Sequence, residues 1–309
     1  MIDLANRLYK VNFKLFLLRK FRVDSLVRFG VRNVFNILIP LYLLLSKGES
    51  LTDKQHSGRK LIVSLTSFPL RIGRLWIVIE SLMRQTMKPD MIILWLSKEQ
   101  FPNEMSDIPK RLVKLVDRGL DIRFVSEDIR SYKKFYYVFQ EFPDDVIITA
   151  DDDIIYPSNM IKSLYEKHRQ SPEAVVARYC YEMKQENNRL LSYRDWKFVS
   201  VIQNYNSKSL FFGSGGGTLF PPKCYHKDIL NKDDFMKICS NADDVWLNLM
   251  VRLKGTSIVK VNDTCAIFPV LIRQDFKLFS TNIYENDRYI QAVQDVYGEV
   301  FLQNSSVDL

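Results

Sequence analysis

Two hydrophobic rhythms alternate along the middle of the chain. Apolar runs at 61–65, 91–96, 122–125 and 146–150 have the length of buried strands. Between them, residues 71–85, 108–116 and 132–139 have helical spacing, with Leu75, Ile79, Leu82 and Met83 on one face of the first. A further helix is predicted from Ser158, a suitable N-cap after Pro157, to His168. Strands alternating with helices predict βαβ units and a mostly parallel sheet covered on both faces. Ligands of such sheets bind at the carboxyl ends of strands. Thr66-Ser67 and Asp151-Asp152-Asp153 both fall at such ends.

After about residue 178 the pattern loosens. Residues 184–189 are polar and loop-like, and 211–220 form a glycine-rich turn between apolar flanks. Asp243-Asp244 opens a helix that runs through Leu253 and stops at Gly255. Residues 258–261 and 265–268 suit late strands, and 54–60 read as a linker.

The first 50 residues differ from the rest. Over 9–45 apolar and basic side chains interleave, as in Phe13, Leu15, Phe16 and Leu17 against Lys14, Arg19 and Lys20. The last apolar stretch, 34–45, is interrupted by Asn36 and Pro40. It is shorter than the roughly 20 residues of a spanning helix, and no small-residue cleavage site follows it. The expectation is a basic amphipathic helical segment lying on an anionic membrane surface. The alternative is two ordinary helices packed on the following domain.

Charge supports that division. The formal net charge is +8, and residues 1–50 hold nine basic and three acidic side chains. The remainder is close to neutral, which argues against nucleic acid as a partner. The composition, 47% hydrophobic and 26% charged, is that of a globular chain. Its four cysteines make no C-x-x-C pair and it has three histidines, so a zinc site is not expected and the thiols read as buried and reduced. The absence of G-x-G-x-x-G and G-x-x-x-x-G-K-[ST] leaves a dinucleotide cofactor and a P-loop unsupported.

Four phrases carry candidate chemistry. Asp151, Asp152 and Asp153 place three mutually repelling carboxylates after a core strand, a cost that a hard divalent cation would relieve. Such a cation could bridge diphosphate oxygens; the plain alternative is a solvated turn capping the next helix. Gly215, Gly216 and Gly217 allow either close approach of a ligand or a tight turn. Asp243 and Asp244 at a helix start are either caps or a source of a general base. Lys133 and Lys134 either meet a diphosphate or form a solvated helix face.

Taken together and in order, these phrases resemble the GT-A glycosyltransferases, and more closely the family-2-like bacterial enzymes of capsule and O-antigen clusters. The matching phrases are Ser64-Leu65-Thr66-Ser67-Phe68-Pro69 with Arg71, Ile93 through Ser97, Ser131-Tyr132-Lys133-Lys134, Ile148 through Pro157, Gly215-Gly216-Gly217 and Asp243-Asp244-Val245-Trp246. The resemblance implies a GT-A, Rossmann-like α/β domain over 60–290, after the helical segment 1–50 and before a tail, 291–309. It implies a D-x-D motif in which Asp151 faces the donor and Asp153, with Asp151, binds Mn²⁺ or Mg²⁺. Thr66, Ser67, Arg71, Lys133, Asp151, Asp152 and the three glycines would hold a nucleotide-sugar donor, a UDP-sugar in the favoured case. Asp243 or Asp244, with Asp244 favoured, would be the base of an inverting transfer to a glycan or lipid-linked glycan acceptor. The enzyme would then be cytoplasmic and peripheral on the inner face of the membrane. One departure is that no histidine follows His226 to serve as a late metal ligand. Two competing readings are a metal-dependent nucleotidyl- or phosphotransferase, and a non-catalytic membrane-associated binding protein that keeps a degenerate form of the fold.

Overall fold

The computed structural model describes residues 1–10, 23–51, 58–199, 207–262, 267–271 and 278–301. Helix α1 (Ile2–Tyr9) and the long α2 (Val23–Leu45) precede the main domain. There β1 (Leu61–Thr66), α3 (Pro69–Met83), β2 (Met91–Ser97), the short α4 (Lys110–Val113), β3 (Leu120–Val125), α5 (Lys133–Glu141), β4 (Val146–Thr149) and α6 (Met160–Gln170) alternate. The expected helix over 108–116 is broken. Only Lys110–Val113 is α-helical, and it begins directly after Pro109, which has no N–H to donate.

Beyond α6 come β5 (Val175–Ala177), β6 (Cys180–Glu182), β7 (Gln185–Glu186), β8 (Arg189–Leu190), β9 (Lys197–Phe198), β10 (Leu210–Phe212) and β11 (Thr218–Phe220). Then follow α7 (Lys232–Ile238), α8 (Asp243–Leu253), β12 (Ile258–Lys260) and α9 (Leu278–Tyr297). The stretch expected to be a loop at 184–189 holds the β7–β8 hairpin, turned by Asn187 and Asn188 at φ of 50° and 58°. The boundary drawn at 290 falls inside α9, whose Ile290 and Val293 are both buried. Of the late strand expected at 265–268, residues 265 and 266 lie outside the described residues, as do Phe13 to Lys20.

The central sheet has seven strands in the order β12-β5-β11-β4-β1-β2-β3. Only β11 runs antiparallel to its neighbours. This is the α/β class expected from sequence, a mostly parallel sheet flanked by helices. Side chains alternate across it. Val63, Leu65 and Ile148 join one core with α3 and α6, while Ile62, Ile93 and Ile147 join a second with α5 and α8. Both faces are buried, which explains why the strands read as continuous apolar runs.

The amino-terminal helices pack on the first core through Ile2, Ala5, Phe35, Ile39 and Leu43. Helix α2 is continuous for 23 residues through Pro40, longer than the apolar stretch 34–45 alone suggested. By length and composition it could cross a membrane, a test that core helices of soluble proteins also pass. Its outer face exposes Leu26, Phe29, Val34, Ile37, Leu41, Leu44 and Leu45.

Candidate active site

The site begins where β1 and β4 end side by side, paired in parallel register through Ser64 and Thr149. Beyond β4 the chain turns through the three aspartates, and each side chain takes a different path. Asp152 turns inward, accepting from the Ser67 hydroxyl at 2.6 Å and from Arg71 at 2.7 Å. Its side chain is only 7% exposed. Burial pushes its carboxyl above the ordinary range, against the pull of Arg71 and Ser67. The Asp151 side chain is 40% exposed and that of Asp153 26%, so these two face the open side of the turn. Burial, with the charge of Asp151 beside it, lifts Asp153 to about 6 despite Arg71 at 2.9 Å.

The turn is fixed from several directions. The Asp151 N–H donates to the Tyr156 hydroxyl at 2.8 Å, and that hydroxyl donates to the Gly215 carbonyl. The Thr149 hydroxyl donates to the Ser214 carbonyl at 2.8 Å. These bonds draw the glycine turn between β10 and β11 onto the aspartates. A Cβ on Gly215 would lie 1.7 Å from an Asp151 carboxylate oxygen, so a larger residue fits only if the Asp151 side chain moves away. Gly217 has φ of +94°, which a side chain would strain.

Asp243 and Asp244 open α8 on the other side of the same turn. Ser214 touches both: its N–H and hydroxyl donate to Asp244 at 2.8 and 2.6 Å, and its hydroxyl reaches Asp243 at 3.2 Å. The two acidic phrases, 92 positions apart, are joined by Lys134. Its ammonium lies 2.8 Å from Asp151 and 2.9 Å from Asp243, with a side chain only 5% exposed. Burial alone would favour loss of its proton, but the charges of Asp151, Asp243 and Asp244 outweigh that and hold it well above the usual lysine range. Helix α5 is placed for this role by Ser64, whose hydroxyl donates to the Lys134 carbonyl at 2.6 Å and accepts from Trp95 Nε1 at 3.0 Å.

The paired aspartates are driven apart. Burial works against the charge on Asp243, but Lys134 and the hydroxyls of Ser131 and Ser214 outweigh it and hold the carboxyl below its ordinary value. Burial and the neighbouring Asp243 charge raise Asp244 to about 7. Both hydrogen bonds to Asp244 fall on Oδ1; among the described residues Oδ2 accepts none. Two carboxyls separated in this way suit one permanent anion and one proton acceptor near neutrality.

The structure thus brings together Ser67, Arg71, Asp151, Asp152, Asp153, Gly215 and, through Ser214, Asp243 and Asp244. Thr66 spends its hydroxyl on the Trp95 carbonyl at 2.8 Å. Lys133 pairs with Asp128, and the lysine that reaches the aspartates is its neighbour Lys134. Helical phase does not separate the two: both lysines are buried, and Tyr137 lies one turn on from Lys133 as Val138 does from Lys134. Nothing in the sequence pattern marked Ser214 or Tyr156 as connectors.

Among the described residues no group of three or more metal-ligating side chains converges. Asp151 and Asp153 remain as hard oxygen donors on the open side of the turn, with side chains 40% and 26% exposed. Two carboxylates of this kind are a hard oxygen donor pair that fits Mn²⁺ or Mg²⁺, which take oxygen ligands and keep open positions for others.

No protein-family model and no curated protein sequence matches the chain. Among solved structures, it is similar to a mannosyltransferase from Pyrobaculum calidifontis in complex with GDP-Man and Mn²⁺, at 12% identity and a TM-score of 0.47, over 87% of this chain and 72% of that one. It is also similar to S. aureus TarS 1–349 in complex with UDP-GlcNAc, at 13% identity and a TM-score of 0.45, over 76% and 67% of the two chains. A third is the 2-C-methyl-D-erythritol 4-phosphate cytidylyltransferase of Francisella tularensis, at 13% identity and a TM-score of 0.38, over 72% and 96%. At these scores, function rests on the geometry of the site itself.

Two substitutions test this geometry. Gly215→Ala should displace Asp151 and lower turnover by about 100-fold, the scale of an ångström-sized misplacement, with the circular dichroism spectrum unchanged. Lys134→Met should destabilise the fold by about 3 kcal/mol, because it leaves the buried Asp243 carboxylate without its counter-ion. Adding Asp243→Asn should recover at least half of that loss in urea unfolding. A loss below about 1 kcal/mol would mean that Lys134 is not the link between the clusters.

Proposed function

We propose that the chain is a metal-dependent, inverting glycosyltransferase of the GT-A type. The observation that carries this reading is the placement of two acidic groups of opposite character around one buried lysine. Asp151 and Asp153 offer oxygen ligands at the carboxyl edge of the sheet. Across Lys134, Asp244 has a proton affinity near neutrality and, among the described residues, one oxygen that accepts no hydrogen bond.

In this reading Asp151 and Asp153 would hold Mn²⁺ or Mg²⁺ against the donor diphosphate, where the cation offsets charge on the leaving group. Arg71 and Ser67 keep Asp152 turned inward and so fix the backbone that presents the other two. Asp244 takes the proton of an acceptor hydroxyl. That oxygen attacks the anomeric carbon and forms the new C–O bond. The bond to the diphosphate breaks with its electron pair, and a nucleoside diphosphate leaves. Asp243 stays charged beside Lys134 and adds to burial in keeping the proton affinity of Asp244 high. Attack from the face opposite the diphosphate inverts the anomeric centre. A UDP-sugar is the favoured donor.

The acceptor we propose is a lipid-linked glycan of bacterial surface-polysaccharide synthesis, of the capsule or O-antigen kind, met on the cytoplasmic leaflet. The exposed apolar face of α2, together with the exposed Arg7 of α1 and the half-buried Arg32 of α2, supports seating on an anionic surface. Asn36 favours lying on the membrane over crossing it. Its side chain is spent on the backbone at Pro269 and Leu271, a contact that a spanning helix would forfeit.

Thermal unfolding with UDP, GDP, CMP and dTDP, each with and without Mn²⁺, tests donor binding, since a native-state ligand raises the midpoint by mass action. One nucleotide should stabilise the protein far more with metal than without it, and Asp153→Ala should abolish the metal-dependent part of that shift. Turnover should rise with pH through about 7 as Asp244 loses its proton, and Asp244→Asn should remove turnover while nucleotide binding persists. Stability should follow the opposite sign. From the ordinary 3.8 up to about 7 the native state holds a proton that the unfolded chain has released. Stability therefore falls as pH rises through that window, and Asp244→Asn should gain on the unsubstituted protein by a few degrees, ~4 °C, between pH 5.5 and 8.5.

A further inference from the structure

The amino-terminal helices do more than rest on the domain: they hold both flanks of the turn that carries Asp153. Asp3, in the first turn of α1, accepts from the Ser158 N–H at 2.8 Å and from the Ser158 hydroxyl at 2.7 Å. These bonds fix the chain five residues after Asp153, just ahead of α6. Asn6, one turn further along α1, donates to the Ile155 carbonyl at 3.4 Å. Asn36 of α2 acts on the other flank. Its amide donates to the Pro269 carbonyl at 3.0 Å and accepts from the Leu271 N–H at 2.7 Å, so one side chain pairs with the backbone as a neighbouring strand would.

The segment held by Asn36 reaches the aspartates directly. Ile154 and Pro269 form an antiparallel bridge. The Ile155 N–H donates to the Phe268 carbonyl at 2.9 Å, and the Val270 N–H donates to the Asp153 carbonyl at 2.7 Å. Asn36 is thus two hydrogen bonds from the backbone of a candidate metal ligand. Both Asn6 and Asn36 are buried. A buried amide costs free energy unless it is bonded, so an apolar residue would serve simple helix packing better. Polar side chains at these positions make sense where backbone must be held in place.

We propose that Asp3 and Asn36 are positioning residues for the Asp151–Asp153 turn, so that the amino-terminal helices are part of the metal–nucleotide site as well as a support for membrane contact. The inference rests on the glycosyltransferase reading for its ligand. Partners of metal-binding side chains typically set metal affinity by 10–100-fold, and the same scale applies here.

The test uses the full chain, the nucleoside diphosphate that stabilises the unsubstituted protein, and Mn²⁺. Asp3→Ala and Asn36→Leu should each weaken Mn²⁺-dependent nucleotide binding by about tenfold or more. Nucleotide affinity in EDTA and partition onto anionic vesicles should not change. Asp3→Asn keeps an acceptor for the Ser158 N–H and should bind within about threefold of the unsubstituted protein. In the metal-free protein, hydrogen exchange of the Ile155, Ser158 and Val270 amides should speed up in Asp3→Ala and Asn36→Leu, while amides of β2 and β3 should not. Unchanged Mn²⁺-dependent binding in both variants would overturn the inference and leave the glycosyltransferase reading standing. So would a loss that is equal with and without metal, since that marks a general loss of structure. No metal-dependent nucleotide binding by the unsubstituted protein would overturn the parent reading, and this one with it.

Discussion

A single buried ammonium holds the site together. Lys134 lies between Asp151 of the triple-aspartate turn and Asp243 of the paired aspartates. It sits near the start of a helix, where a cation is disfavoured by the helix dipole. The carboxylates on both sides offset that cost and the cost of burial. In return, Lys134 keeps Asp243 charged, and burial together with that charge raises the Asp244 pKa to about 7. Removing the lysine would therefore alter both halves of the site, the half that would hold a cation and the half that would accept a proton.

Much of the sheet was legible in the sequence because its strands are buried on both faces. Continuous apolar runs such as Leu61 to Leu65 separate cleanly from helices like Pro69–Met83 with their longer period. Past residue 178 the signal weakens for a physical reason. Strands of two or three residues, such as Gln185–Glu186 and Lys197–Phe198, are too short to show any period. The hairpin at 184–189 is polar on its exposed tip and reads as a loop. Helix α2 was underestimated because its first half is basic and its apolar face points outward.

The candidate site shows a similar division. Carboxylates at strand and helix ends stood out because like charges in sequence need a reason. The groups that organise them did not. Ser214, Tyr156 and Ser64 are ordinary residues whose roles arise only when β4, α5 and the glycine turn meet. The neighbouring lysines illustrate the point: chemically identical in the sequence, they face Asp128 and Asp151 respectively.

The amino-terminal helices and the triple-aspartate turn are connected by hydrogen bonds through Asp3 on one flank and Asn36 on the other. An outer apolar face and an inner polar grip on the same helices suit an enzyme whose acceptor lies at a surface. A glycosyltransferase site of this kind would cleave the bond between a sugar and a nucleoside diphosphate. Phosphorus NMR of the products formed from a nucleotide-sugar with Mn²⁺ tests it most directly, since water can stand in for an unknown acceptor. The account predicts slow release of free nucleoside diphosphate, lost in Asp244→Asn and in Asp153→Ala. Release of a nucleoside monophosphate together with sugar phosphate, or formation of pyrophosphate from a nucleoside triphosphate, would contradict it and mark the site as one for transfer at phosphorus.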